Sequence, residues 1–173
     1  MGWYYTNDGS RADVIAELTE DNSKEGKVYR TLRKCFRGNV MYALHETGPI
    51  GETKKWIGVY LLQKGTRDYP GWGYKPMDET MEPYYYDCPV SYLDAADEPM
   101  GDGAKRWREV VREKAARRAS IKPKAGESWR LRSGKEVRIK SVRPLHGWIG
   151  GTLYRIKRTN LVEKLKSPGM TAA

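Results

Sequence analysis

Several side chains in the first part of the chain have the chemistry for proton transfer or nucleophilic attack. They are His45 and Glu46 in one apolar stretch, Asp78, Glu79 and Glu82, then Tyr84–Tyr86, Asp87 and Cys88. A thiol is activated when an imidazole meets it in space, and two carboxylates divide acid and base roles when both face one pocket. The spacing implies neither arrangement. Asp78 and Glu79 are chain neighbours, and His45 lies far from Cys88. No HExxH, GxSxG or Walker pattern occurs. Cys35 and Cys88 lack CxxC spacing and have only His45 and His146 to join them, so they read as two reduced thiols and not as a zinc site. The residues therefore predict no catalytic group, no metal and no cofactor. An enzyme would need the 72–88 segment and His45 to converge in one cleft.

A second pattern suits binding. Trp129 and Leu131 alternate with Arg130 and Arg132, Val137 and Ile139 with Arg138 and Lys140, and Tyr154 and Ile156 with Arg155 and Lys157. Strand alternation sends the apolar set inward and two cations per strand outward. Like charges crowded on one face repel unless an anion sits between them, and acidic compensation there is nearly confined to Glu136. Phosphates relieve that repulsion and release counterions. Lys105, Arg108 and Arg112, at helical spacing opposite Trp107, Val110, Val111 and Ala115, extend the same footprint. Trp107, Trp129 and Tyr154 fall on core faces. Trp148, in the glycine-rich run His146–Gly151, is the candidate for stacking on a base. The charge supports this placement: the 173 residues carry +10, of which residues 1–100 hold −4 and residues 101–173 hold +14.

These side chains need elements to hold them. Ser10 with Asp13 opens a helix over 11–20, with Val14, Ile15 and Leu18 as its apolar stripe. Val28, Leu32, Cys35 and Phe36 fit the helical period and predict a short helix over 28–36. Gly38-Asn39 makes a turn, and 40–47 and 56–63 read as a strand hairpin. Residues 64–98 read as an ordered loop, because Pro70, Pro76, Pro83 and Pro89 forbid a long regular element. Its aromatic content is too high for a solvated linker, so Trp72, Tyr74, Asp78, Tyr84, Tyr85 and Tyr86 are candidates for holding a partner or ligand. A helix over 104–118 follows, then strands over 128–132, 136–143 and 152–158 and a last helical turn over 159–165. The fold class is α+β: an antiparallel-sheet domain over 1–118, a linker over 119–125, a basic SH3-like all-β module over 126–165 and a tail over 166–173. No apolar run is long enough to cross a bilayer, which predicts a cytoplasmic protein with no membrane partner.

Met1-Gly2-Trp3, Gly38-Asn39-Val40, Ile57-Gly58 with Leu61-Leu62-Gln63, and the block Gly73-Tyr74-Lys75-Pro76-Met77-Asp78-Glu79-Thr80-Met81 followed by Pro83–Pro89 carry a resemblance. With Ser91-Tyr92-Leu93-Asp94 and Trp107-Arg108-Glu109, they make residues 1–115 similar to a family of small uncharacterised proteins of bacteriophages and other mobile elements. The resemblance implies a mobile-element setting in a bacterial host and no activity assignable to particular residues. The resulting expectation is a non-enzymatic accessory protein that binds nucleic acid or a nucleoprotein through its basic C-terminal module. Its alternatives are an inhibitor of a host defence complex, anchored by Trp72 and Tyr85, and a small enzyme using the 72–88 segment.

Overall fold

The computed structural model describes residues 2–78, 82–97 and 101–165, and Glu79 and the tail 166–173 lie outside them. The chain is mixed helix and strand, and all its strand pairs are antiparallel. It divides into two compact units, residues 1–113 and residue 114 onward.

In the first unit the strands are β1 (Tyr4–Tyr5), β2 (Lys27–Arg37), β3 (Val40–Pro49), β4 (Lys54–Lys64) and β5 (Trp72–Pro76), ordered β1-β5-β4-β3-β2. Gly38, at φ +60°, takes the first position of the two-residue loop between β2 and β3, a position that favours glycine. Both faces of β3 are buried from Met41 to Glu46. Helix α1 (Arg11–Thr19) covers one face, setting Val14 and Leu18 against Met41, Ala43, Tyr60 and Leu62. Its start is a reciprocal cap, in which the Asp13 amide donates to Ser10 Oγ at 3.2 Å and the Ser10 amide donates to the Asp13 carboxylate at 2.7 Å. The other face packs on Tyr42, Leu44, Ile57 and Val59. There α2 (Glu82–Tyr85), α3 (Val90–Leu93) and α4 (Asp102–Ser120) contribute Tyr85, Leu93, Trp107 and Val111.

Three expectations for this unit are corrected. Residues 28–36 belong to strand β2 and not to a helix. The pairing shifts between Thr31 and Arg33, so Leu32 is the extra residue of a bulge. A bulge moves every later side chain to the opposite face, which puts Val28 and Cys35, seven residues apart, on one side. The strand thus imitates helical spacing. The 64–98 segment is not loop throughout: β5 fits between Pro70 and Pro76 and pairs with both β4 and β1. Finally, Ala104, Trp107, Arg108 and Val111 are the buried stripe of α4, so Arg108, 4% exposed, lies on the core side and not on the solvent side. Its guanidinium is 5.5 Å from the Trp107 ring.

The second unit is a five-stranded sheet ordered β10-β6-β7-β8-β9, from β6 (Ser128–Leu131), β7 (Glu136–Val142), β8 (Leu145–Ile149), β9 (Thr152–Arg155) and β10 (Leu161–Lys164). Four strands meander, a single 3₁₀ turn follows at Arg158–Asn160, and β10 returns to pair with β6. Ile121, Trp129, Val137, Ile139, Ile156 and Leu161 form the core. Ile121 is only 7% exposed, so the 119–125 stretch is anchored in this unit and is not a free linker. Residues 144–151 include strand β8, and 161–164 form a strand where a helical turn was expected. Gly147 sits inside β8 because a Cβ there would come within 2.3 Å of a Val137 methyl carbon.

Candidate nucleic-acid interface

The outer face of the second unit is set by strand register. Arg138 on β7 lies directly opposite both Ser128 on β6 and Trp148 on β8, and Trp148 lies opposite Leu153 on β9. These four side chains therefore share one row across the sheet. Trp148 is 42% exposed, and Lys140 Nζ stands 5.3 Å from the centre of its ring. That is cation–π distance, which holds a positive charge beside an indole face. In the neighbouring row Arg155 opposes His146, whose Nδ1 is 3.3 Å from Ser141 Oγ. Lys157 and Arg132 are exposed just beyond β9 and β6.

The other end of the same face is electrically different. Arg130 opposes Glu136 on β7 and Glu163 on β10, and its guanidinium is 3.2 Å from the Glu163 carboxylate. Acidic compensation is therefore not confined to Glu136. The evenly cationic face inferred from alternation resolves into a paired end around Arg130 and a cation–indole end around Arg138, Lys140, Trp148 and Arg155. Glu127 makes a separate cluster on the Trp129 side of the sheet, since Lys164 lies opposite Trp129. Its carboxylate accepts from Lys164 Nζ at 2.7 Å, from the Lys124 amide at 2.9 Å and from Trp129 Nε1 at 3.1 Å. Those bonds, the lysine's foremost, hold its pKa down to about 2.

Of the expected aromatic positions, Trp129 and Trp107 are buried as their strand and helix phases require. Tyr154, expected inside, is 49% exposed: it opposes Gly147 on edge strand β9, whose residues are all exposed. Trp148 stands on strand β8, not in a loop. A further cationic group follows the end of α4, where Lys114, Arg117, Arg118 and Arg132 line a cleft of about 70 Å³ with Ile121, Thr159 and Leu161. The run of basic residues in the last turns of α4 was its only signal in the sequence. Lys105 is exposed and sits 3.6 Å from Asp102, and Arg112 is exposed.

Among the described residues of the first unit, His45, Glu46 and Cys88 do not converge. Cys88 packs in the core on the α4 side of the sheet, where burial pushes its thiol up to about 12. His45 alternates with Met41 and Ala43, so it faces the α1 side. Glu46 is bound by Arg30 Nε at 2.8 Å and by Thr53 Oγ1 at 2.9 Å. Among the described residues no group of three or more His, Cys, Asp or Glu side chains could hold a metal. Tyr85, expected to anchor a partner, is 3% exposed, and its hydroxyl donates to the Met77 carbonyl at 2.9 Å. Trp72 is half-buried beside α1, with Arg11 5.8 Å from its ring. Tyr74 donates to Glu17 at 3.3 Å, and Asp78 and Tyr86 are half-buried. Tyr84, 37% exposed, lends its carbonyl to the Tyr42 hydroxyl at 2.6 Å. Of these six candidates Tyr85 is the buried one, Tyr84 is exposed, and Trp72, Tyr74, Asp78 and Tyr86 are half-buried. No helix among the described residues is long and apolar enough to cross a membrane.

No protein-family model, curated protein or solved structure matches the chain.

Proposed function

We propose that the second unit is an SH3-like barrel that binds single-stranded nucleic acid, with Trp148 as the stacking platform and Arg138, Lys140, Arg155 and Lys157 along the phosphate track. The strand order β10-β6-β7-β8-β9, with a 3₁₀ turn before the returning strand, supports the barrel. The observation that carries the function is the row Arg138–Trp148–Leu153 with Lys140 held over the indole. A half-exposed tryptophan stacks on any base, and cations on either side neutralise the flanking phosphates, so affinity comes without sequence preference. Stacking requires an unpaired base, which favours single strands over duplexes. In the mobile-element setting implied by the resemblance, the ligand is nucleic acid or nucleoprotein in the cytoplasm of a bacterial host.

Fluorescence anisotropy with labelled single-stranded and duplex oligonucleotides tests this reading. Engaging four phosphates gives a slope of log K against log salt near −3, taking roughly 0.7 per contact for single strands. Trp148→Ala weakens binding by about 1–3 kcal/mol. Binding that ignores salt, or that survives Trp148→Ala unchanged, is incompatible with it.

A further inference from the structure

The first unit contains a cleft of about 500 Å³, inside the range of roughly 300–1,000 Å³ typical of small-molecule sites. Tyr4, Tyr29, Trp56, Tyr60 and Tyr74 line it together with apolar residues such as Leu18 and Val59, and none of its described lining residues is charged. Trp56, Gly58 and Tyr60 are same-face neighbours along β4, and the glycine leaves the gap between the two rings. A Cβ at Gly58 would fall 2.6 Å from the Tyr60 hydroxyl and 2.8 Å from His45 Nε2, so only glycine admits the pair beside it.

The rings form two families about Tyr60. On the β5 side, Tyr74 is edge-on to Tyr60 at 77°, and Tyr4 stacks on Tyr74 with centroids 5.2 Å apart. On the β3 side, His45 is at 86° to Tyr60, while Trp56 and Tyr29 lie within 33° and 22° of the His45 plane. Tyr60 therefore meets a ring on either side at a steep angle, Tyr74 towards β5 and His45 towards β3, among the aromatic residues that line the cleft.

The Tyr60 hydroxyl is adaptable. Thr31 Oγ1 is 3.0 Å from His45 Nδ1, and His45 Nε2 is 2.9 Å from the Tyr60 hydroxyl. The imidazole is fully buried, and burial pulls its pKa down to about 4, so it is neutral near pH 7. With the proton on Nε2, His45 donates to the Tyr60 oxygen and the phenol proton is left for a ligand. With the proton on Nδ1, His45 accepts the phenol proton and Tyr60 offers lone pairs instead. One hydroxyl thereby serves a ligand acceptor or a ligand donor without any charge appearing.

We infer that this cleft binds a neutral, planar nitrogen heterocycle of nucleobase size, stacked against its aromatic lining with one polar edge on the Tyr60 hydroxyl. Uncharged walls favour the base or nucleoside over a nucleotide, whose phosphate has no cation to meet there. This site is independent of the nucleic-acid face on the second unit.

The intact chain is titrated with adenosine, guanosine and cytidine, and with choline as a cationic counter-probe, by isothermal calorimetry and by proton NMR. Saturable nucleoside binding at or below about 1 mM is expected, with Overhauser contacts from the base protons to Trp56 and Tyr74. Tyr60→Phe, which keeps the ring and removes the hydroxyl, weakens that binding about 5- to 10-fold. Three results overturn the inference: no nucleoside binding up to roughly ten times that concentration, preferential binding of choline, or base contacts confined to Trp148. The ring contacts are read on the unaltered chain, so a misfolded variant does not shield the proposal.

Discussion

The two units handle polar groups differently. The first draws them inside: His45 lies between Thr31 and Tyr60, the Tyr85 hydroxyl bonds a backbone carbonyl, and the charged side chains of Glu46 and Arg108 are buried as well. The second keeps its ionised groups at the surface, pairing some, as in Arg130–Glu163 and Lys164–Glu127, and leaving others beside Trp148. Packing explains the difference. The first unit has apolar cover on both faces of its sheet and enough aromatic area to enclose a hydrogen-bonded relay. Among the described residues the second has a smaller core, built on Ile121, Trp129, Val137, Ile139, Ile156 and Leu161, so there is little interior in which to hide a polar group. A buried polar pair is tolerated only when both partners are satisfied, whereas an exposed ion pair costs little and contributes little.

Four measurements sharpen or break this contrast. The largest effect is expected from Trp107→Ala, which empties the centre of the core against α4. It costs about 3–5 kcal/mol, read as faster hydrogen exchange in β3 and β4, while exchange in β7 and β8 is unchanged. Equal acceleration in both units would contradict their separate cores.

Acid is next. His45 has a lowered folded-state pKa, near 4 against 6.5 for the free side chain, so the unfolded chain binds the extra proton first. The first unit's stability is then fully present above about pH 6.5 and declines as pH falls towards about 4, by a total of about 3 kcal/mol. A His45 imidazole that titrates near 6.5 by NMR removes this prediction.

Glu127 gives the complementary window. Its lowered pKa makes the second unit lose stability only as pH drops from about 4.5 through about 2. Glu127→Ala is expected to cost about 1–2 kcal/mol at neutral pH, measured by urea unfolding followed in β6 and β10. The smallest stability effects belong to Arg138→Ala and Arg130→Ala, within about 0.5 kcal/mol each. Their binding effects should differ, because Arg130 already has a carboxylate. Arg138→Ala flattens the salt dependence by about 0.7 in slope, and Arg130→Ala changes it by much less.

Local signals in the sequence reached part of this structure. The Ser10–Asp13 cap, the Gly38-Asn39 turn and the alternation of Val137 and Ile139 with Arg138 and Lys140 each depend on residues close in the chain, and each appears as read. The failures share a cause, which is that distant pairing decided them. Leu32 is a bulge residue because β3 dictates the register of β2. Residues 161–164 form a strand because β6 offers an edge and Leu161 fills the core there. Spacing with Lys105 and Arg112 places Arg108 outside, yet it also shares the phase of Ala104, Trp107 and Val111, and packing puts it inside with them. The cleft residues Tyr4, Tyr29, Trp56 and Tyr60 come from three strands and were invisible as a set. Glycine between two aromatics at Trp56-x-Gly58-x-Tyr60 was the one local hint.

The Glu127 carboxylate touches the first and last strands of its sheet at once, holding the backbone of Lys124 before β6 and the side chain of Lys164 at the close of β10. Because β6 and β10 are antiparallel neighbours, entry and exit of the chain lie side by side, with Trp129 opposite Lys164. A tension applied across those ends would load the ladder bonds one after another, as a zip and not in shear. The Glu127 contacts and the Leu165–Ser128 backbone bond stand together at that end of the ladder, so a pull on the returning strand loads them first, while Ile121 keeps the segment before β6 anchored in the core.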